Sequence, residues 1–447
     1  MSGAGAAGAG AVGSVAGPGA VGVEPYAELV FDAEGDVDPR SRDALVRLDA
    51  TDLLVFSHGW NSQRSTATRL YGRFFAPFPR LAGPSVRLGY VGVVWPSIRF
   101  ADEPVPDFEL RAALAEPGYG SALDPDTRQA LDGFWPGHGA ELDRIEELLA
   151  RRPESAEAFA EFGVLVRALA GLPERPVPSA ATGHGDSGGG ADGEDGDGDA
   201  VPVLFSVPPE EACRVLADGL AEAGADGRQA LWNGGKELLR QASYYRMKKR
   251  AGLIGERGLG PVLTELSRGR PGLRVHLIGH SFGARLVSFA LRAVPDGRGC
   301  VKSLTLLQGA FSHYAFAERL PHDRGRGGAL AGLQRRVDGP VVCCHSEHDS
   351  ALRVFYPLAS RMAGDSAGFA GFDERWGAMG HDGVQAVPGA VRLTLDAALR
   401  EGLPGTGCAS VDAASVVRRG GAPSGAHSDI CHEELARVVV SAGRLGR

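Results

Sequence analysis

Short runs of apolar residues recur along the chain between polar stretches, and they predict the strands of a buried sheet. Five such runs are the clearest, and a further strand candidate lies around 409–417. Continuous apolar runs of this length are typical of strands covered on both faces, as in parallel sheets. The five runs are Asp52–Phe56, Arg87–Trp95, Arg274–Ile278, Ser303–Leu307 and Val341–His345.

Segments with helical spacing of apolar residues alternate with these runs. Helices are predicted over 63–75, over 140–170 with a break at Pro153, and over roughly 241–268. A last helix is predicted over 429–442, capped by Ser428 or Asp429. Strands that alternate with helices predict an α/β fold, specifically a doubly wound and mostly parallel sheet.

The regular pattern lapses between the two halves of this predicted core. We therefore predict an α/β core over 24–97 and 241–447, and a large, mainly helical insertion over 98–240 that is a candidate lid. The insertion contains an acidic linker near 173–200, rich in Pro, Gly and Ser, with too few apolar residues to order itself. Residues 1–23 are predicted to be a disordered tail, because their GxGxxG repeats follow no strand.

Composition limits the class of protein. The 447 residues are 43% hydrophobic and 23% charged, which is typical of a soluble globular protein. A net charge of −8 argues against a nucleic-acid partner, and no apolar run is long enough for a transmembrane segment. The six cysteines lack CxxC spacing, so neither a disulfide scaffold nor a zinc site is expected. We expect a cytoplasmic protein that needs no cofactor or metal; the oligomeric state stays open.

The first candidate for chemistry is Ser281. It is the central residue of Gly279–Gly283 (GHSFG), which follows the predicted strand Arg274–Ile278 and precedes a helix from Ala284. A serine on such a strand–turn–helix junction has a strained backbone that holds its Oγ above the sheet, and flanking glycines let neighbouring backbone approach closely. We therefore predict that Ser281 is a nucleophile.

A serine nucleophile needs a base, and the base needs an orienting acid. Asp349 is the predicted acid, because it follows the strand Val341–His345 at the edge where Ser281 lies. Three other carboxylates compete with it. Asp338 precedes that strand and so belongs to the opposite edge, Asp365 lies in a segment with no strand to fix it, and Glu347 is expected to point away.

His427 is the predicted base among twelve histidines. It follows the last predicted strand and directly precedes the last helix. His381, in a glycine-rich stretch after Asp349, is the alternative. An oxyanion hole is predicted from the backbone N–H groups of Trp60 and Phe282, because Trp60 follows the first central strand. His58 is expected to brace that loop rather than to titrate.

Three motifs, in this order along the chain, resemble the α/β-hydrolase superfamily. The sequence is most similar to a bacterial group with an HG[WY]N oxyanion loop, a GHSFGA elbow and HSDI before the final helix. These strings are His58–Asn61, Gly279–Ala284 and His427–Ile430, and the resemblance spans 24–97 and 241–447. It implies serine-hydrolase chemistry on esters, thioesters or amides, with a small-molecule or lipid-like acyl substrate.

The expected reaction is hydrolysis of a carboxylic ester through the triad Ser281, Asp349 and His427 and a covalent acyl-enzyme. An amidase or a thioesterase would use the same residues. A non-catalytic binding protein of the same fold is a further alternative. A phosphotransferase is not expected, because the sequence has no HRD, DFG or GxxxxGK[ST] motif.

Overall fold

A computed structural model describes residues 21–60, 62, 64–98, 100, 122–173, 203–222, 231–296, 299, 301–357, 376–421 and 424–446. Most of the predicted tail and nearly all of the acidic linker lie outside these residues. Val21 and Val23, which we assigned to the tail, are buried against the core. The described core therefore includes residues on the amino-terminal side of the predicted boundary at 23.

Eight strands form one sheet in which each neighbouring pair is parallel. Their order across the sheet is β1-β3-β2-β4-β5-β6-β8-β7. This confirms the predicted α/β class with a parallel sheet. The strands are β1 (Tyr26–Val30), β2 (Asp52–Ser57), β3 (Leu88–Val94), β4 (Arg274–His280), β5 (Val301–Leu307), β6 (Pro340–His345), β7 (Val391–Thr394) and β8 (Gly407–Asp412).

Helices cover both faces of the sheet. Those outside the predicted insertion are α1 (Pro39–Val46), α2 (Arg64–Phe75), α3 (Phe78–Leu81), α9 (Gly260–Gly269), α10 (Phe282–Phe289), α11 (Met379–Asp382), α12 (Leu395–Glu401) and α13 (Glu433–Gly443). Those that begin within the insertion are α4 (Pro125–Phe134), α5 (Gly139–Arg151), α6 (Ala156–Ala170), α7 (Pro209–Glu222) and α8 (Leu231–Leu253). A π-helical turn, Ile254–Leu259, joins α8 to α9.

Alternate residues of each central strand enter different hydrophobic cores, which explains the continuous apolar runs in the sequence. Leu53 and Val55 of β2 belong to one core, whereas Leu54 and Phe56 belong to the other. The first core also contains apolar residues of α4–α8, so the inserted helices share a core with the sheet. Helix α8 runs unbroken through the predicted boundary at 240.

The sequence did not predict the strands β1 and β7, and it placed the start of the last helix too early. The edge strand β1 was missed because Glu28 interrupts its apolar pattern; this carboxylate is buried and accepts a hydrogen bond from Arg64 Nε at 3.0 Å. Strand β7 was missed because its residues are largely exposed. The last helix begins at Glu433 with His432 as its N-cap, so the predicted cap at Ser428 or Asp429 is wrong.

No helix among the described residues is long and apolar enough to cross a membrane.

Candidate active site

Ser281 lies on a strained turn at the carboxyl edge of the sheet. It follows β4 directly and precedes α10, with φ 55° and ψ −122°. This backbone conformation is uncommon for a non-glycine residue and costs about 1–3 kcal/mol, so the surrounding structure must hold it. Leu307 O accepts the Ser281 N–H at 3.1 Å, and Ser281 O accepts the Ala310 N–H at 3.2 Å. The end of β5 therefore fixes the turn.

Ser281, His427 and Asp349 form one line of hydrogen bonds. The His427 Nε2 atom lies 2.8 Å from Ser281 Oγ, and His427 Nδ1 lies 2.7 Å from Asp349 Oδ2. Because a carboxylate only accepts, Nδ1 carries a proton and Nε2 is left to accept the Ser281 hydroxyl proton. Asp349 is fully buried, whereas the His427 side chain is 15% exposed. The geometry is that of a nucleophile, a base and an orienting acid.

Backbone hydrogen bonds join the loop of the acid to the loop of the base. The Ala426 N–H donates to His348 O at 2.9 Å, and the Ala351 N–H donates to Ser424 O at 3.2 Å. Asp429, two residues after His427, accepts N–H groups from Arg418 and Arg419. The spacing between the Asp349 and His427 side chains is thus set by the backbone as well as by their own hydrogen bond.

The loop after β2 lies directly against Ser281. A Cβ atom on Gly59 would lie 2.5 Å from the Cβ of Ser281, a separation that only glycine permits. Trp60 follows Gly59, so its backbone N–H belongs to the loop beside Ser281. Phe282 is the first residue of α10, where backbone N–H groups have no partner within the helix. Asn61, the last residue of the motif, lies outside the described residues.

Two buried histidines support this arrangement without being charged. The ring of His58 stacks on Trp95, and the backbone N–H of His58 donates to the Tyr71 hydroxyl. Burial lowers the pKa of His58 to about 4. His280 Nε2 lies 2.8 Å from the backbone oxygen of His427, to which it must donate. Burial, with the adjacent His427, lowers the pKa of His280 to about 3.

The competing residues of the sequence analysis lie elsewhere. Asp338 precedes β6 and pairs with Lys302 at 2.6 Å, and Glu347 is exposed. His381 Nδ1 lies 2.7 Å from Asp382, which also contacts His313. Burial alone would raise the pKa of Asp382, but the hydrogen bonds to these two histidines hold it below its ordinary value. Asp365 lies outside the described residues.

Two residues that contact the triad were not identified from the sequence. His280 was read only as the second residue of GHSFG, and Gln308 was not considered. Gln308 Nε2 donates to Asp349 Oδ2 at 3.1 Å. A polar residue directly after a central strand, at the edge that carries Ser281, is the signal that would have identified Gln308.

The helix α8 contributes an aromatic side chain to the neighbourhood of the site. The Tyr244 ring lies 4.6 Å from the Phe282 ring, 5.7 Å from the Trp60 ring and 6.4 Å from the Tyr356 ring, centroid to centroid. Helix α7 also reaches the segment after Asp349, where Leu220 packs with Val354 and Phe355. Helices of the insertion and its continuation therefore contact both Trp60, in the loop after β2, and the segment after Asp349.

Within the described ranges, no group of three or more His, Cys, Asp or Glu side chains is arranged to hold a metal ion. Comparisons of the chain with protein-family models, with curated proteins and with solved structures found no match. The assignment of function therefore depends on the geometry of the site and on the sheet, which is compatible with an α/β-hydrolase fold.

Proposed function

We propose that this protein is a serine hydrolase of the α/β-hydrolase type that cleaves carboxylic esters. One observation carries the proposal: the hydrogen-bonded line Asp349–His427–Ser281, with the serine on a strained turn at a helix N-terminus. The order of these residues along the chain, nucleophile then acid then base, is that of α/β-hydrolases. The alternating helices and the parallel sheet agree with this interpretation.

In the proposed reaction, Ser281 Oγ attacks the carbonyl carbon of the acyl substrate while its proton passes to His427 Nε2. The carbonyl oxygen becomes an oxyanion that accepts hydrogen bonds from the N–H groups of Trp60 and Phe282. His427 then gives the proton to the leaving alkoxide, which departs as an alcohol. Water, deprotonated by His427, releases the acyl group from Ser281.

Asp349 stabilises the imidazolium form of His427 and holds its Nδ1–H tautomer throughout this sequence. Full burial strengthens that effect, because the charge of Asp349 is not screened by water. His58 and His280 stay neutral at neutral pH and so keep the backbone of the oxyanion loop and of His427 in place without competing for the proton.

The test is hydrolysis of a panel of p-nitrophenyl esters, matched thioesters and matched anilides with acyl chains of increasing length. We expect the esters to be cleaved fastest and Ser281→Ala to lose activity with an unchanged thermal unfolding temperature. Faster cleavage of anilides or thioesters would identify an amidase or a thioesterase. If the wild-type protein cleaved no member of the three substrate classes, that result would contradict the proposal and favour a binding protein.

A further inference from the structure

Gln308 and Ser281 share a feature that sets them apart from the rest of the sheet. Five described non-glycine residues have positive φ, and only these two directly follow strands of the sheet, Ser281 after β4 and Gln308 after β5. The φ of Gln308 is 47°. Strained residues of this kind persist where the surrounding structure fixes them, which is typical of functional sites.

The side chain of Gln308 is oriented by two acceptors. Its Nε2 atom lies 3.1 Å from Asp349 Oδ2 and 3.2 Å from Gly380 O. Because both partners only accept, the amide nitrogen must face them, and the oxygen faces the other way. The Gln308 Oε1 atom is buried, and no described group donates to it. The amide therefore donates two hydrogen bonds through Nε2, while Oε1 accepts none from the described residues.

The acid receives its hydrogen bonds from three elements. Asp349 Oδ2 accepts from both His427 Nδ1 and Gln308 Nε2, while Oδ1 accepts the Leu352 N–H at 3.0 Å. The Gln308 N–H in turn donates to Cys344 O at the end of β6. Gln308 thus links the carboxylate to the ends of two strands: it bonds to β6 through its N–H, and it directly follows β5, whose last residue accepts the Ser281 N–H.

We propose that Gln308 is a positioning residue of the triad: its amide fixes the Asp349 carboxylate so that Oδ2 receives the His427 imidazole. The inference rests on the proposed function. The N–H···O bond is strongest while the carboxylate faces a neutral imidazole, because an imidazolium would neutralise part of its charge. Gln308 therefore favours the unprotonated form of His427, the form that accepts the Ser281 proton.

The ionisable groups around this carboxylate are few among the described residues. His427 contacts it directly, and His280, with its pKa lowered to about 3 by burial, lies behind His427 and stays neutral. Glu347 and His348 precede Asp349 on the same loop and are exposed. His381 and Asp382 directly follow Gly380, the second acceptor of the Gln308 amide, and a variant of Gln385, which donates to Asp382 O, reports any effect through them. A change in pH dependence that appears on altering Gln308 but not Gln385 is therefore attributable to the Asp349–His427 pair.

The experiment measures the second-order rate of labelling by a fluorophosphonate probe between pH 5 and 9 (about the range in which imidazole titrates). Gln308→Met keeps the shape and removes the donor. We expect labelling about tenfold slower, the effect of one lost hydrogen bond to a charged group, and a midpoint of the acid limb moved to higher pH. Gln385→Met is the control, because it removes an amide that, among the described residues, donates to Asp382 O and not to Asp349.

A second variant, Gln308→Glu, separates positioning from packing. Its carboxyl group, with a pKa raised by burial and by Asp349, donates an O–H while protonated and repels Asp349 once ionised. We expect labelling that falls again as pH rises, where the wild type reaches a plateau. The positioning role would be overturned if both variants kept the wild-type labelling rates and pH profiles. It would also be overturned if Gln308→Met slowed labelling only as much as Gln385→Met and left the pH midpoint unchanged. Absence of labelling in the wild type would instead overturn the proposed function.

Discussion

Asp349 and Asp338 flank the same strand, β6, and their surroundings differ completely. Asp349 follows the strand, is fully buried and lies 2.7 Å from His427 Nδ1. Asp338 precedes the strand and pairs with Lys302 near the surface. The position of a carboxylate relative to a parallel strand therefore decides which chemistry is open to it, because only the carboxyl edge carries Ser281.

Asp349→Asn should lower kcat by about 10³–10⁴, because the amide can bind the wrong tautomer of His427 and cannot stabilise its imidazolium. Asp338→Asn is the matched control on the same strand and should stay within about tenfold of the wild type, since a surface ion pair contributes little. Steady-state kinetics on the fastest ester checks both. A nearly silent Asp349→Asn would contradict the role of the acid.

The sequence identified Ser281, Asp349 and His427 as candidates because each lies at a strand end or in a short motif, and the structure places the His427 side chain within hydrogen-bond distance of the other two. It did not locate Gln308, whose contacts join residues far apart in the chain: Asp349 is 41 positions away and Gly380 is 72. The position of Gln308 directly after β5 is visible in the sequence, but no local pattern encodes which residues its side chain contacts. Gln308 and Asp349 are brought together by the pairing of β5 with β6, and Gly380 reaches Gln308 because the chain passes the end of β5 again at that residue.

At the scale of elements, the site depends on the close approach of α10 to the loop after β2. A Cβ on Gly283 would overlap the backbone oxygens of Ser57 and His58, and a Cβ on Gly279 would lie 2.5 Å from Ala284. The glycines of GHSFG are therefore needed for packing between the turn and its neighbours, in addition to the turn itself. The sequence analysis expected the flanking glycines to allow a close approach of backbone, and the atoms that approach are the oxygens of Ser57 and His58 and the backbone of Ala284.

Gly283→Ala should lower the free energy of unfolding by about 3 kcal/mol or more and slow probe labelling, because the added methyl group forces the turn away from the oxyanion loop. Gly272→Ala is the control, since that exposed turn has no atom within 4 Å of the added Cβ. Urea unfolding measures the first effect. Equal stabilities of the two variants would show that the close approach is not required.

The position of a strand in the sheet explains why some strands were not predicted from the sequence. A central strand such as β2 is buried on both faces and so has an unmistakable apolar run, whereas the edge strands β1 and β7 do not. The residues of β7 are largely exposed, whereas β1 is buried at its centre but has the carboxylate of Glu28 within its apolar run. The start of α13 was misplaced because Asp429 resembles a cap but accepts N–H groups from Arg418 and Arg419 instead.

At the scale of the whole molecule, the inserted helices and the sheet share one core, and α8 brings Tyr244 to Trp60 in the loop after β2 and to Phe282 in the turn after β4. We therefore expect α8 to influence the choice of acyl group. Tyr245, the next residue, packs instead near Phe205 and Lys249. The two neighbouring tyrosines offer a matched pair on one helix.

Tyr244→Ala should change the ratio of kcat/KM between long-chain and short-chain esters by about tenfold, because removal of an aromatic ring enlarges the space beside Trp60 and Phe282. Tyr245→Ala should leave that ratio unchanged. Rates across the ester panel measure the ratio. The same ratio in wild type and Tyr244→Ala would assign α8 to stability alone.

Stability should also depend on pH through the buried histidines. Their pKa values, about 4 for His58 and about 3 for His280, lie below the ordinary 6.5, so between pH 6.5 and about 4 only the unfolded chain binds these protons. The free energy of unfolding should therefore fall as pH drops through that window, by about 1 kcal/mol per pH unit for each imidazole. Urea unfolding at several pH values measures the slope, which His58→Gln should reduce; an unchanged slope would contradict the burial effect.

The central claim is that Ser281 is an activated nucleophile, and intact-mass spectrometry after treatment with a fluorophosphonate probe tests it most directly. The probe reacts covalently with serines that a neighbouring base activates. We predict one adduct per chain on the wild type, mapped by peptide sequencing to Ser281, and no adduct on Ser281→Ala. An unlabelled wild type, or an adduct that persists in Ser281→Ala, would contradict the account.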